Sequence, residues 1–220
     1  MASNNEKYIN NRLKWENSYN AFEDFFGESP SEAAVKAAKV FKDNQVTSIL
    51  ELGGGQGRDT LYFAREGFQV YVLDYAAKGI NDIKQKALDH SLSNRVTAIQ
   101  HNVKEPLNFA DDSFDGCFSH LLCCMNFKTE ELDFLFKEIK RVLKNGGINI
   151  YTVRNKKDPH FGTGTHIEGN IYNISDFIIH FFDRKTIERL SEGFQILQVE
   201  ELEEGNLPRR LYNVVLRNES

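Results

Sequence analysis

Short apolar runs with the character of strands alternate with amphipathic segments along most of the chain. The predicted strands are rich in β-branched and aliphatic residues and lie at 46–52, 69–74, 95–101, 114–122 and 148–153. Between them, apolar residues three and four positions apart predict helices at 57–66, at 77–90 and from a capping Thr129 to Asn145-Gly146-Gly147. Because each parallel strand must be reached through a crossover, this alternation predicts a doubly wound α/β fold.

Two further regions extend the pattern at the ends of the chain. Ser29-Pro30-Ser31-Glu32 has the spacing of a capping box with proline at the first helical position, and predicts a helix that reaches about Asn44. Near the carboxyl end, a short helix is predicted from Asp183 to Leu190, before strands at 194–201 and 211–217. About ten residues separate these strands, which favours an antiparallel hairpin. The predicted sheet therefore has seven strands, is mostly parallel and is Rossmann-like.

Length and composition limit the class of protein. With 220 residues, of which 40% are hydrophobic and 27% charged, we expect one domain with a single core. Within 1–220 we predict a helical arm or lid at 1–45, a cofactor-binding core at 46–153, and an acceptor loop with the strand pair at 154–220. The charge of −5, without a continuous basic stripe, argues against a nucleic-acid partner.

The amino-terminal residues and the cysteines indicate where the protein is located. The amino-terminal residues are too polar for a signal peptide, and no apolar run reaches the roughly 18 residues of a membrane span. We therefore expect a cytoplasmic protein without a membrane partner. We also expect a monomer or homodimer. Cys117, Cys123 and Cys124 are expected to be reduced thiols that pack as small apolar side chains.

A glycine-rich turn follows the first predicted strand and opens the next helix. It has the sequence Glu51-Leu-Gly53-Gly-Gly55-Gln-Gly57, in which glycines let the backbone turn sharply and approach a ligand closely. The dinucleotide fingerprint G-x-G-x-x-G, counted from Gly53, would require glycine where Arg58 stands. The spacing here is G-x-G-x-G instead, and a structural turn without a ligand is the less favoured alternative.

An acidic residue two positions before alternating glycines resembles the first motif of class I S-adenosylmethionine-dependent methyltransferases. The resemblance covers about residues 45–155 and implies S-adenosyl-L-methionine as the cofactor. Asp74, at the end of the second strand, corresponds to the carboxylate that accepts hydrogen bonds from the ribose hydroxyls in that family. Tyr75 is then a neighbour of the adenine. Asn102 stands where the family commonly has an aspartate that reads the adenine amine, and an amide oxygen can also accept that bond.

The resemblance thus supplies a set of expected cofactor-binding residues. Trp15 and Tyr19 of the amino-terminal arm are included as pocket walls, although near-helical spacing of aromatic residues is also typical of core packing. The full set is Trp15, Tyr19, Glu51, Gly53, Gly55, Gly57, Arg58, Asp74, Tyr75, Asn102, Val103 and Ser119.

The methyl acceptor is less well defined by the sequence. The strings Gly57-Arg58-Asp59-Thr60, Phe25-Phe26-Gly27 and 207–212 resemble small-molecule methyltransferases of the tellurite-resistance type, which implies a small-molecule acceptor. His120, at the end of the fourth strand, and Arg154 are candidate catalytic residues, but a lone histidine there is more often structural.

The segment from Arg154 to Ser175 has little periodicity and predicts a long loop, often a lid. Its Arg154, His160, His166 and Glu168 either gather around an anionic acceptor or are solvated loop side chains. The spacing of His160, His166, Glu168 and His180 does not support a metal site, so no metal is expected.

Two other functions remain open from the residues alone. A nicotinamide-dependent oxidoreductase uses a similar strand, turn and helix, although the third fingerprint glycine is missing. A protein that binds S-adenosylmethionine without catalysis is the other alternative, because the sequence contains no obvious general base.

Overall fold

The computed structural model describes residues 4–205 and 209–219, with side chains from residue 12 onward. The chain divides into two compact units, Met1–Glu105 and Pro106–Ser220. The helices are α1 (Asn4–Ala21), α2 (Glu32–Asp43), α3 (Arg58–Arg65), α4 (Ala77–Asp89), α5 (Thr129–Val142) and α6 (Arg184–Leu190). The strands are β1 (Ser48–Leu52), β2 (Gln69–Asp74), β3 (Val96–Gln100), β4 (Phe114–His120), β5 (Leu143–Arg154), β6 (Thr165–Glu168), β7 (Ile171–Ile174), β8 (Phe177–His180), β9 (Phe194–Glu204) and β10 (Arg209–Asn218).

In the first unit, three parallel strands lie in the order β3-β2-β1. Ser48 pairs with Gln69 and Leu52 with Leu73, so β1 and β2 end at the same level. Strands β1 and β2 are largely buried on both faces, as expected for strands covered by crossover helices, and Leu50 and Leu52 are fully buried. Their carboxyl ends therefore place the glycine turn beside Asp74.

The helix after the amino-terminal arm begins two residues later than its sequence pattern predicts. Ser31, not Ser29, is the N-cap of α2, and its Oγ accepts a hydrogen bond from the Ala34 N–H at 3.0 Å. Both the N–H and the hydroxyl of Ser31 donate to the Asp59 carboxylate, at 2.7 and 2.8 Å. The prediction that Ser29 and Glu32 form the capping box is wrong because this tertiary contact selects Ser31.

The second unit combines a parallel strand pair with an antiparallel hairpin. Strand β5 pairs in parallel with β4 and antiparallel with β10, which pairs antiparallel with β9. The predicted carboxyl-terminal hairpin is confirmed. The seven strands follow the order β3-β2-β1-β4-β5-β10-β9 in one mostly parallel sheet, which confirms the predicted fold class. The division into one domain of residues 1–220 stays a prediction.

A separate three-stranded antiparallel sheet, in the order β6-β7-β8, was not predicted. Its first hairpin occupies residues that the sequence pattern assigns to a long loop, so that prediction is wrong from Thr165 onward. The side chains of β6 are all exposed, and an exposed short strand lacks the alternation of apolar and polar residues that identifies a half-buried strand. Pairing with neighbouring strands, which is a tertiary property, decides this segment.

The ends of α5 also differ from their prediction. Lys128, not Thr129, occupies the N-cap position, where its N–H donates to the Glu131 carboxylate at 2.7 Å. At the other end, the helix ends at Val142, and Asn145-Gly146-Gly147 belongs to β5. The predicted end of the helix at Asn145-Gly146-Gly147 is wrong because a glycine pair in a strand interior carries no strand signal.

The three cysteines are buried free thiols, in agreement with the predicted reduced, apolar role. Burial raises the pKa of Cys123 to about 12 and that of Cys124 to about 11. These side chains are therefore neutral at physiological pH and poor nucleophiles.

Candidate functional site

The glycine turn between β1 and α3 brings bare backbone close to several side chains of the first unit. Gly55 has a φ of +58°, and a Cβ built on it would lie 3.2 Å from the hydroxyl oxygen of Tyr19. A Cβ on Gly54 would lie only 2.2 Å from Cγ2 of Val72 in β2. The turn therefore excludes larger residues for packing reasons as well as for access to a ligand.

Asp74 lies at the carboxyl end of β2 and directs its carboxylate at the glycine turn. Oδ2 accepts a hydrogen bond from the Gly55 N–H at 2.9 Å, and Oδ1 accepts one from the Ala76 N–H at 2.8 Å. Burial raises the pKa of Asp74 to about 6, and these two hydrogen bonds oppose the rise. A carboxylate offers about four lone-pair sites, so acceptor capacity remains for ligand hydroxyls.

Glu51 is the second carboxylate near the turn, and it is only 3% exposed. Burial, with the negative charge of Asp59 next in importance, raises its pKa to about 8. Its Oε2 makes no hydrogen bond to the residues that the structure describes. A buried carboxyl oxygen without a partner is well suited to receive a cationic or N–H group of a ligand, and a cation there would favour the ionised form of Glu51.

The aromatic residues of the arm occupy different places around this turn. Tyr19 is only 5% exposed and contacts the turn at Gly55, and its ring lies 5.6 Å from that of Trp15. Trp15 also packs against Phe25 and Phe26, with ring centroids 6.0 and 5.8 Å away. Tyr19 thus lies at the predicted cofactor turn, and Trp15 joins it to an aromatic cluster with Phe25 and Phe26.

The remaining predicted cofactor residues of the first unit have varied surroundings. Val103 is buried and Tyr75 is half-buried. Asn102 is exposed, and its side chain makes hydrogen bonds within its own turn, to Glu105 at 3.3 Å and from the Lys104 N–H at 3.2 Å. A role for Asn102 toward adenine would require these local bonds to be shared or exchanged.

Arg58, the first residue of α3, reaches back to the arm. Its Nη1 donates to the Phe26 carbonyl oxygen at 3.1 Å, and its guanidinium lies 5.6 Å from the centre of the Phe26 ring. Gln56, which was not predicted to be functional, also holds the arm through its amide group. The glycine spacing indicates a functional turn, but no local pattern indicates the hydrogen-bond partners of the Gln56 side chain, because they lie 26 or more residues away in the sequence.

In the second unit, His120 lies at the carboxyl end of β4 and contacts two groups that the sequence did not indicate. Its Nδ1 is 2.8 Å from Thr152 Oγ1, and its Nε2 is 3.0 Å from Glu204 Oε2. The Leu121 N–H donates to Thr152 Oγ1 at 3.0 Å, which leaves the threonine hydroxyl hydrogen to bond Nδ1. This arrangement favours the tautomer of His120 with its proton on Nε2.

The backbone next to His120 has an unusual conformation. Leu121 has a φ of +56°, in the left-handed region that a branched side chain rarely adopts, and such strained residues are concentrated at functional sites. Ser119, which precedes His120, is buried, with its Oγ 3.8 Å from Cys123 Sγ. The register of β4 and β5 pairs His120 with Thr152, so this contact follows from strand pairing.

Arg154, the second candidate catalytic residue, is committed to an internal ion pair. Its Nε and Nη2 donate to the two oxygens of Asp158 at 2.9 and 2.5 Å, and Nη2 is 2.8 Å from His160 Nδ1. Although burial alone would raise the pKa of Asp158, hydrogen bonds from Arg154 and from the His160 N–H lower it below its usual value. Arg154 and His160 therefore contact each other, while the interpretation that four residues of this segment gather around an anionic acceptor stays a prediction.

The other polar residues of this segment lie elsewhere in the second unit. His166 is exposed on β6, with its Nε2 3.0 Å from the Gly169 carbonyl oxygen, and Glu168 is exposed at the end of that strand. His180 is buried against Phe182, and burial lowers its pKa. Within residues 4–205 and 209–219, no group of three or more His, Cys, Asp or Glu could hold a metal ion.

Comparison with known proteins identifies related sequences. Residues 49–147, a little under half of the chain, match the family model described as "Methyltransferase domain", in agreement with the predicted resemblance to methyltransferases. YqeM of Bacillus subtilis (strain 168), named as a methyltransferase, is 30% identical over 109 residues. That match covers 48% of this chain and 41% of YqeM, so the chain spans less than half the length of this relative.

Solved structures show the same fold at low sequence identity. A 1,6-didemethyltoxoflavin-N1-methyltransferase from Burkholderia thailandensis, with S-adenosylhomocysteine bound, is 18% identical with a TM-score of 0.76. The match covers 100% of this chain and 92% of that one. The N-methyltransferase NodS from Bradyrhizobium japonicum WM9, also with S-adenosylhomocysteine, is 12% identical with a TM-score of 0.70, over 96% of this chain and 100% of NodS.

Proposed function

We propose that this chain is an S-adenosylmethionine-dependent methyltransferase that acts on a small-molecule acceptor. The observation that carries the proposal is the bare glycine turn at Gly53–Gly57, against which the buried carboxylate of Asp74 is directed. The methyltransferase-domain match over residues 49–147 contains both features. The comparisons favour neither the nicotinamide-dependent oxidoreductase nor the non-catalytic binding protein.

The side chains around the turn suit the chemical groups of S-adenosylmethionine. The unpartnered buried oxygen of Glu51 suits the amino-acid half of the cofactor, and the remaining acceptor capacity of Asp74 suits a ribose diol. Tyr19 lies against the same turn and would wall the pocket. When bound, the sulfonium centre supplies a methyl group that already carries its leaving group.

The residues of this chain would then act mainly by positioning and by exclusion of water. Holding the reacting groups in line provides a large part of the rate acceleration in such reactions. We assign Trp15, Gly53, Gly55, Gly57, Arg58, Tyr75, Asn102, Val103 and Ser119 to the remainder of the cofactor site, as the resemblance implies.

His120 is our candidate for proton transfer when the acceptor is a hydroxyl or an amine, which requires one of its ring nitrogens to exchange its present partner for the acceptor. Thr152 orients its ring, and Glu204 lies within 3.0 Å of the opposite nitrogen. A thiolate or reduced chalcogen would need no such group, because it attacks without loss of a proton. Arg154 is better suited to support the segment through Asp158 than to contact the acceptor, since its Nε and Nη2 donors already have partners.

Several narrower statements remain predictions. These are the tellurite-resistance subgroup, the monomeric or homodimeric state, the cytoplasmic location and the lack of a nucleic-acid partner. Part of the string that suggested the subgroup, residues 207 and 208, lies outside the described residues. Among the residues described, no helix has the length and apolar character needed to cross a bilayer.

Isothermal titration of the chain with S-adenosylhomocysteine tests the proposal, with NAD as the comparison ligand. We expect saturable binding of S-adenosylhomocysteine and none of NAD. Methyl transfer from S-adenosylmethionine is then measured to thiols, hydroxylated aromatics and chalcogen oxyanions. Failure to bind S-adenosylhomocysteine would overturn the proposal, and tight binding without transfer to any acceptor would favour the non-catalytic alternative.

A further inference from the structure

Gln56, inside the glycine turn, is the centre of a hydrogen-bond network that joins the turn to residues 12–27 of the arm. Its Nε2 donates to the carbonyl oxygens of Phe22 and Glu23 at 3.0 and 2.8 Å, and its Oε1 accepts from the Phe25 N–H at 2.9 Å. The same Nε2 lies 3.0 Å from Asp82 Oδ2 of α4. Gln56 itself is only 5% exposed, whereas the arm residues that it bonds lie at the surface, so these hydrogen bonds are partly buried.

A second attachment of the arm lies at the start of α4. Glu16 accepts hydrogen bonds from the N–H groups of Ala77 and Lys78 at 2.6 and 3.1 Å. The N-cap position of α4 is Ala76, which has no side-chain acceptor, so the arm supplies the cap from a distance. A carboxylate at a helix N-terminus is also favoured by the helix dipole.

Between these two attachments, the arm holds Tyr19 against the predicted cofactor turn. The Tyr19 hydroxyl oxygen lies 3.2 Å from a Cβ built on Gly55, and its Cε2 lies 3.4 Å from one built on Gly79 at the start of α4. An ion pair between Asp24 and Lys86, at 2.5 Å, adds a third link from the arm to α4. The arm therefore contacts both the turn and the helix that follow β1 and β2.

We propose that Gln56 is a positioning residue that clamps the arm over the glycine turn and so controls how long the cofactor stays bound. This inference rests on the proposed function. Gln56 belongs to the turn itself, so any ligand that lies against Gly55 is directly beside the clamp. Exchange of the cofactor then requires the hydrogen bonds made by Gln56 and Glu16 to break. Loss of either attachment therefore speeds dissociation of the cofactor more than it slows association.

The dissociation rate of S-adenosylhomocysteine measures this effect directly. Trp15 is the one tryptophan of the sequence and lies in the arm, so its fluorescence reports on the arm during stopped-flow displacement. Gln56→Leu keeps the side-chain size but removes all of its hydrogen bonds, and we expect at least a tenfold faster dissociation. The matched control is Gln85→Leu on α4, where the exposed Gln85 side chain donates to Asp89 of its own helix, and we expect the wild-type rate.

Glu16→Ala tests the clamp without any change in the turn. It should also speed dissociation, and amide hydrogen exchange of residues 12–27 should become faster in both variants while that of β1 and β2 stays as in the wild type. This second variant keeps the test decisive if Gln56→Leu does not fold. A structural role of Gln56 confined to the turn would leave the exchange of the arm unchanged.

The outcomes separate this inference from the function on which it rests. If the wild-type chain does not bind S-adenosylhomocysteine, the proposed function itself fails. If the wild type binds but Glu16→Ala and Gln56→Leu release the ligand at the wild-type rate, the clamp is overturned and the function is not. The clamp is also contradicted if Gln56→Leu releases the ligand more slowly than the wild type while amide exchange of residues 12–27 becomes faster only in Glu16→Ala.

Discussion

The carboxylate of Asp74 accepts a hydrogen bond from the backbone N–H of Gly55 at 2.9 Å, across 19 residues of chain. This bond connects the end of β2 to the glycine turn after β1, and both partners are buried. It aligns the carboxylate with a stretch of backbone that consists mostly of glycine. This hydrogen bond joins the turn and the carboxylate that we propose to bind the cofactor.

Replacement of Asp74 by Asn is expected to weaken S-adenosylhomocysteine binding by at least tenfold. Hydrogen bonds to a charged acceptor contribute about 1.5–3 kcal/mol each, and the amide group can keep only part of them. Calorimetric titration measures the change. Asp43→Asn, at an exposed position at the end of α2, is the control and should bind like the wild type; equal affinity in both variants would remove Asp74 from the site.

Gly54→Ala is expected to destabilise the fold by about 1–3 kcal/mol, because its Cβ would overlap Val72 Cγ2 at 2.2 Å. Denaturant unfolding measures the loss. Val72→Ala removes the overlapping atom, so the double variant should be more stable than the sum of the two single changes predicts. Simple additivity would show that the two side chains do not collide.

Stability should depend on pH through Glu51. Its pKa is about 8 in the folded chain and near 4.5 when unfolded, so the folded state holds the additional proton between these values. The contribution of Glu51 to the free energy of unfolding is therefore complete below the lower of these pKa values. It falls by about 1.4 kcal/mol per pH unit between them and is lost above the higher one. Glu51→Gln has no proton to lose and should lack this slope.

Unfolding of wild type and Glu51→Gln between pH 5.5 and 8 measures the difference. Asp74 also titrates there, with a pKa of about 6, but it is present in both proteins and its contribution cancels to first order. The variant should gain stability relative to the wild type as the pH rises. A difference in stability that does not change with pH would contradict the buried, protonated state of Glu51.

Asp158→Asn is expected to destabilise the second unit by about 3–5 kcal/mol, because it leaves the buried guanidinium of Arg154 without its countercharge. The Arg154 and Asp158 side chains are only 8% and 0% exposed. The exposed pair between Lys157 and Glu201 provides the control, and Glu201→Gln should cost less than about 1 kcal/mol. Equal effects in the two variants would show that burial does not strengthen the inner pair.

Much of the fold follows from local patterns. Apolar periodicity predicts β1 to β5, α3 to α5 and the final hairpin, because strands and helices each bury a face of fixed period. The same logic fails for β6, whose side chains are all exposed. Its place depends on pairing with β7, and an exposed strand carries little of that information in its own residues.

The candidate site also combines features that are local in the sequence with contacts that only the folded chain brings together. The glycine spacing and the position of Asp74 after β2 are local, and they were sufficient to indicate a cofactor turn. The partners of Gln56, the cap that Glu16 supplies to α4, and the contacts of His120 with Thr152 and Glu204 join residues far apart in the chain.

The sequence by itself thus determined the elements and the residue types that can bind a sulfonium nucleoside, since those depend on short-range periodicity and on backbone freedom at glycine. Only the tertiary structure decided which polar groups satisfy one another, as when Asp158 takes the donors of Arg154. The physical reason is that a buried donor or acceptor must be paired, while many partners of the right type exist along the chain and folding selects among them.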